Sequence, residues 1–159
     1  ENEFLSPHFQ LKELLKVSRP EYQQLNNDNL TQITHDALRT LCNTLLEPIR
    51  DEFGVTIITS GFRWHVYNLL IGGSPLSQHR FGESADFHCK YRTDEMVMWW
   101  VANNNDLMEK VGQIIYEPSW IHISLGYPPY RLEELSGQIL KTDDCKNYYY
   151  INKNLERID

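Results

Sequence analysis

The chain has 159 residues, with 15 Lys and Arg against 22 Asp and Glu, for a net charge of -7. A pI near 5.3 argues against nucleic-acid binding through phosphate neutralisation, and no run of about 18 apolar residues offers a membrane span. With 41% apolar and 23% charged residues, the composition is that of one soluble domain able to fold without disulfides.

Taken in chain order, Phe9 to Lys16 is a short apolar-periodic stretch, followed by loop at Arg19-Pro20 and at Asn26-Asn27-Asp28-Asn29. Between Thr31 and Phe53 the apolar positions Ile33, Ala37, Leu38, Leu41, Leu45, Leu46 and Ile49 recur every three to four residues. That period predicts a long amphipathic helix, kinked or restarted at Pro48. Val55 to Thr59 is a β-branched run and reads as a buried strand. Trp64 to Leu70 reads as a helix stopped by Gly72-Gly73. Ala85 to Cys89 is a second strand. Thr93 to Ala102 is a helix with Thr93 as N-cap. Gln113 to Tyr116 and Trp120 to Leu125 form a strand pair split by Pro118-Ser119. The sum is α+β, a helical N-terminal part followed by a small antiparallel sheet. Residues 1–127 make the main domain. Residues 128–159, opening on Pro128-Pro129, make a polar, tyrosine-rich extension expected to dock on the domain or on a partner, a virion component or a second copy. Cys42, Cys89 and Cys145 are odd in number and lack C-x-x-C spacing, so they read as buried free thiols. Glu1-Asn2-Glu3-Phe4 has no signal-peptide character, although a processed precursor would look the same.

Chemistry concentrates in two segments. In Ser77-Gln78-His79-Arg80-Phe81-Gly82-Glu83-Ser84-Ala85-Asp86, His79 leaves a loop, Gly82 permits the turn, and Asp86 enters a strand. In Trp120-Ile121-His122-Ile123-Ser124, strand alternation turns Ile121 and Ile123 to one side and His122 to the other. Two imidazoles and a carboxylate are a sound catalytic zinc set, with a fourth position open to water. Glu117, just before the His122 strand, is the best-placed general base. His8, His35 and His65 read as background, and His88, two residues after Asp86, could line the cleft.

These residues follow the pattern S-x-H-x-x-G-x-[AS]-x-D, then W-x-H-x-S. Upstream stand Ile58-Thr59-Ser60-Gly61-Phe62-Arg63, Asn68 and Gly72-Gly73-Ser74. In this the chain resembles the zinc D-alanyl-D-alanine carboxypeptidase family, and within it the small phage and bacterial branch of peptidoglycan-cleaving peptidases. The likeness runs from about Leu5 to Leu125. It implies a Hedgehog-like α+β fold, Zn2+ as cofactor, and His79, Asp86 and His122 as its ligands. It further implies Arg63 over the substrate, where a guanidinium pairs bidentately with a carboxylate, and Glu117 as base. Ser77 and Gln78 would shape the loop that holds His79, and with Trp120 they would meet the substrate. Three positions depart from the pattern. Ser84 replaces a common Ala, Gly112 replaces a common Asp, and Glu117 lies five residues before His122 where better-known dipeptidases place Glu three before it.

The implied activity is hydrolysis of a peptide bond of bacterial peptidoglycan stem peptides, next to D-alanine, by a carboxypeptidase or endopeptidase. It would act at the cell wall as a phage lysin, a virion-borne enzyme or a remodelling enzyme. The alternative is a zinc-binding structural module of a phage virion without turnover.

Overall fold

A computed structural model describes residues 3–126 and 137–158. The boundary expected at residues 127–128 and Pro128-Pro129 lie outside the described residues. The chain opens with a two-stranded ribbon, β1 (Phe4–Ser6) and β2 (Phe9–Gln10), running into α1 (Leu11–Leu15). At the start of α1 the Glu13 carboxylate accepts from the Gln10 amide at 2.8 Å, satisfying an otherwise unpaired N–H group.

Asn26 to Asn29, expected as loop, belongs mostly to a helix, α2 (Gln23–Asp28). Asn26 is fully buried and its amide donates to the carbonyls of Leu15 and Phe62. These tertiary bonds satisfy a side chain whose local preference is for turns. The long periodic segment forms α3 (Gln32–Leu41), a π-helical turn over Cys42–Leu46, and α4 (Glu47–Phe53). Thr31 caps α3 through its hydroxyl, and Pro48 stands in the first turn of α4, where a missing N–H costs nothing. Glu47 is buried and accepts from the Ser6 hydroxyl at 2.6 Å and the His8 amide at 2.8 Å. It ties the ribbon to the helices.

The main sheet has β3 (Thr56–Ser60), β4 (Ser84–Cys89), β5 (Val111–Tyr116), β6 (Ile121–Leu125), β7 (Gln138–Thr142) and β8 (Tyr148–Tyr150), in the order β3-β4-β6-β5-β7-β8. Its first four strands pair antiparallel, as expected. The extension then adds β7, parallel to β5, and β8, antiparallel to β7. Helix α5 (His65–Leu70) lies between β3 and β4. Helices α6 (Asp94–Ala102) and α7 (Asn105–Met108) lie between β4 and β5. The Thr93 hydroxyl accepts from the Met96 amide at the start of α6.

One sheet face presents Ala85, Phe87, Ile114, Ile121, Ile123 and Leu125 to a core filled by Leu38, Leu41, Leu45, Ile49 and Met98. Strand alternation therefore turns Ser84, Asp86, His122 and Ser124 to the opposite face. No helix among the described residues is long and apolar enough to cross a membrane. Cys42 and Cys89 are buried as expected, but Cys145 is exposed, because it occupies the β7–β8 connection rather than a packed element.

Ser84 lies opposite Ser124 in β6 and is fully buried, and its hydroxyl has no hydrogen-bond partner among the described residues. Ser84→Ala should therefore leave stability unchanged or raise it by up to about 1 kcal/mol, since an unmade buried hydrogen bond is a cost. Urea unfolding measures this, and a loss of about 1 kcal/mol or more would mean that the hydroxyl has a partner.

Candidate metal centre

Asp86 and His122 stand directly opposite each other on β4 and β6. His79 sits in a 3-10 turn, Gln78–Phe81, which Gly82 closes at φ 71. A Cβ at Gly82 would lie 2.6 Å from the Thr34 carbonyl oxygen, so both conformation and space require glycine. The turn delivers His79 Nε2 to 3.2 Å from Asp86 Oδ1, while His122 Nδ1 lies 2.9 Å from the same oxygen. All three side chains are buried or nearly so, and their ligand atoms lie within 4.8 Å of one another.

The protonation states fit a metal. His79 Nδ1 is 2.7 Å from the Gly61 carbonyl oxygen, so Nδ1 carries the proton and Nε2 offers its lone pair. Burial, and then the nearby Arg63 and His122, push the His79 pKa down against the attraction of Asp86. For Asp86, burial alone would raise the carboxyl, but His79 and His122 outweigh it and hold it well below the usual range. A neutral imidazole lone pair thus faces an ionised carboxylate oxygen, a pairing that a cation between them resolves.

Arg63 closes one side. Its Nη2 is 3.5 Å from Asp86 Oδ2, its Nε donates to Ser60 Oγ at 3.1 Å, and its Nη1 donates to Asn68 Oδ1 at 2.9 Å. Asn26 grips the chain on both sides of Arg63, donating to the Phe62 carbonyl and accepting from the Trp64 amide at 2.7 Å. A Cβ at Gly73 would fall 2.1 Å from Asn68 Oδ1 and 3.0 Å from Arg63 Nη1, so the backbone there passes where no side chain fits.

Glu117 follows β5 and is 6% exposed. Its amide donates to the Trp120 carbonyl at 3.0 Å, closing the turn around Pro118-Ser119. Its Oε2 is buried with no hydrogen-bond partner among the described residues. Burial, and then the charge of Asp86, raise its pKa against the pull of His122.

A family model described as Peptidase M15 matches residues 7–124, most of the chain. The chain belongs to peptidase family M15. No curated protein matches it. M15 peptidases are zinc-dependent hydrolases, and the M15 match spans His79, Asp86, Glu117 and His122.

The remaining predicted residues of this M15 domain divide by position. Ser77 is partly buried and its hydroxyl accepts from the His79 amide at 3.2 Å. Trp120 is half-buried beside the metal-facing strand. Gln78, expected to shape the loop that holds His79 and to meet substrate, is turned inward. It is 6% exposed and its amide nitrogen donates to the Leu125 carbonyl and to Glu83, each at 3.0 Å. It clamps the His79 turn to the end of β6. His88 is partly buried on β4, and the Asp94 carboxyl is raised by burial against a smaller lowering from His88.

Three contributors emerge only from the tertiary structure, although Asn68 already stands in the motif. Asn26 and Asn68 hold Arg63 as described above. Tyr148 of β8 is the third, and partial burial followed by the charges of Glu117, Cys145 and Asp86 pushes its phenol up to about 12. A second cluster, His8, Glu47 and Asp51, also has metal-ligand atoms within mutual reach. There Glu47 is already engaged by Ser6 and by the amide and ring of His8, as a structural knot requires.

Proposed function

We propose that this M15 domain hydrolyses a peptide bond of bacterial peptidoglycan stem peptides, next to D-alanine, with zinc held by His79 Nε2, His122 Nδ1 and an Asp86 oxygen. The observation that carries the reading is the convergence of both ring nitrogens on Asp86 Oδ1 beside two further groups of the right chemistry, Arg63 and Glu117. When bound, zinc supplies Lewis acidity, making water nucleophilic near neutral pH and polarising the attacked carbonyl.

The protein residues do the rest. Glu117, raised by burial, suits a base that takes a proton from water and returns it to the leaving amine. Arg63 has five N–H groups, of which two are used on Ser60 and Asn68, while its Nη2 forms an ion pair with Asp86 at 3.5 Å. The fork is thereby fixed in direction, and its other N–H groups suit a substrate carboxylate or the charge that develops on the carbonyl oxygen. Action at the bacterial cell wall follows from that substrate, and a role as a phage lysin or a virion-borne enzyme rests on the motif resemblance to the phage branch.

Incubating the zinc-loaded chain with purified peptidoglycan, and separately with D-Ala-D-Ala, tests the proposal. Mass spectrometry should show new amino termini or released D-alanine from the peptidoglycan. Tight zinc binding with no product from either substrate would contradict the peptidase reading and favour a zinc-binding structural module.

A further inference from the structure

A second recessed surface lies away from the metal centre. Helix α6 packs Val97, Met98 and Val101 into the core. It thereby covers the apolar face of the sheet, opposite the face that carries Asp86 and His122. Where α6 gives way to α7, the surface holds a groove of about 510 Å³ lined by Trp99, Trp100, Asn103, Asn104, Asn105 and Asp106. That volume is in the range of small-ligand sites. None of these residues belongs to the metal centre.

Tertiary contacts hold its walls. Trp100 meets Phe53 of α4 edge to face, with ring centroids 5.4 Å apart. The Asn103 side chain donates to the Trp99 carbonyl at 2.8 Å and to the Lys153 carbonyl at 2.9 Å. Lys153 Nζ donates to Asn105 Oδ1 at 3.1 Å, and Asn104 Oδ1 accepts from the Leu107 amide at 3.1 Å. The C-terminal segment thus braces the groove. These bonds leave over a set of polar atoms with no partner among the described residues: Asn103 Oδ1, Asn104 Nδ2, Asn105 Nδ2 and the Asp106 carboxylate. Beside them Trp99 is 51% exposed, a large apolar ring that gains by being covered.

An exposed indole beside side-chain amides and a carboxylate is complementary to an amino sugar. A pyranose ring has an apolar C–H face that packs on an aromatic surface, and a rim of hydroxyl and acetamido groups that donate and accept. The amide N–H groups of Asn104 and Asn105 suit an acetamido carbonyl, while Asp106 and Asn103 Oδ1 accept from hydroxyls. We propose that this groove binds the amino-sugar glycan strand of peptidoglycan, stacked on Trp99. The choice of glycan rests on the reading of peptidoglycan as substrate of the metal centre. Because the groove lies on the other side of the sheet, it does not present the bond to be cut. It anchors the enzyme on a neighbouring strand and so raises the effective concentration of stem peptides at the metal centre.

Two measurements on the full zinc-loaded chain test this. The first needs no turnover. A linear tetramer of N-acetylglucosamine carries the glycan chemistry without a peptide. Calorimetric titration should show saturable binding of this tetramer to the wild type. Trp99→Ala should weaken it by roughly tenfold or more, the scale of a lost aromatic contact with its buried area. Asp106→Ala, which removes an exposed carboxylate, should weaken it by roughly fivefold or more. Both residues are exposed, so neither change opens the core. No binding to the wild type, or undiminished binding in both variants, would overturn the glycan site. Dimers that depend on Trp99 in sedimentation, with no tetramer bound, would give the groove to a second copy of the chain and overturn it too.

The second measurement compares two substrates. On intact insoluble peptidoglycan Trp99→Ala should cut roughly 3–10 times more slowly than the wild type, because anchoring is lost. On a free soluble stem peptide the two should cut alike, since the groove holds none of the metal-centre residues. Equal rates on intact peptidoglycan, or an equal loss on both substrates, would overturn the anchoring role. A wild-type chain that cleaves neither substrate would contradict the peptidase reading itself, and the tetramer titration would still decide the groove.

Discussion

The His122→Ala variant should keep its fold and lose its zinc, with affinity falling by more than about 100-fold, beyond what replacing an outer-sphere partner usually costs. The fold should survive because His122 contributes nothing to the core. Its neighbours Ile121 and Ile123 are fully buried on the other face and remain in place, and β6 stays flanked by β4 and β5. Alanine also preserves the strand's backbone bonds. What disappears is the nitrogen 2.9 Å from Asp86 Oδ1, which leaves one imidazole and one carboxylate. Two ligands do not make a zinc peptidase site. Thermal unfolding followed by circular dichroism checks the fold, and competition against a chromophoric chelator measures the affinity. Zinc retained at wild-type affinity would move the metal elsewhere, with His8, Glu47 and Asp51 as the next place to look.

Glu117→Gln should separate chemistry from metal binding. The variant should bind zinc as the wild type does, because Glu117 is not among the three clustered ligands. Its kcat should drop by about 10²–10⁴, the range for loss of a positioned general base. Gln is nearly isosteric and uncharged, so removing a carboxylate that burial already disfavours should leave stability intact or raise it. The pH profile provides the sign. Burial and the Asp86 charge raise the Glu117 pKa above its usual 4.5, and the base must be ionised to act. In the wild type, activity should therefore fall as pH drops through a value higher than 4.5, and that limb should be absent from the residual activity of Glu117→Gln. Near-wild-type kcat in this variant would assign the base to another group.

The metal residues were legible in the sequence because each obeys a local rule. Gly82 closes the turn after His79, and period-two alternation turns His122 away from Ile121 and Ile123. The same rule, applied to Ala85–Cys89, sends Asp86 to the face that meets it. Arg63 was visible as a residue, whereas the device that fixes it was not. Asn26 lies 36 residues before Phe62 in sequence, and only tertiary folding joins them. The asparagine-rich stretch was read as loop for the same reason, since its helix is completed by buried side-chain bonds rather than by propensity. The extension was expected to dock on the domain or on a partner, but its polarity hid the form this takes. Tyr148 and Tyr150 are about half exposed, as an edge strand permits, so composition gave no sign that β7 and β8 join the main sheet. Cys145 was grouped with the buried thiols because nothing local distinguishes a thiol held in a left-handed turn from one packed in a core.

One zinc, held by His79, Asp86 and His122, should be needed to cut peptidoglycan. The most direct test is to strip the purified chain with a chelator, restore zinc stepwise, and follow bound metal and peptidoglycan cleavage together. Cleavage should vanish on stripping and return in proportion to zinc, saturating at one ion per chain. Cleavage that persists in the stripped protein, or saturation with zinc that restores no cleavage, would contradict it.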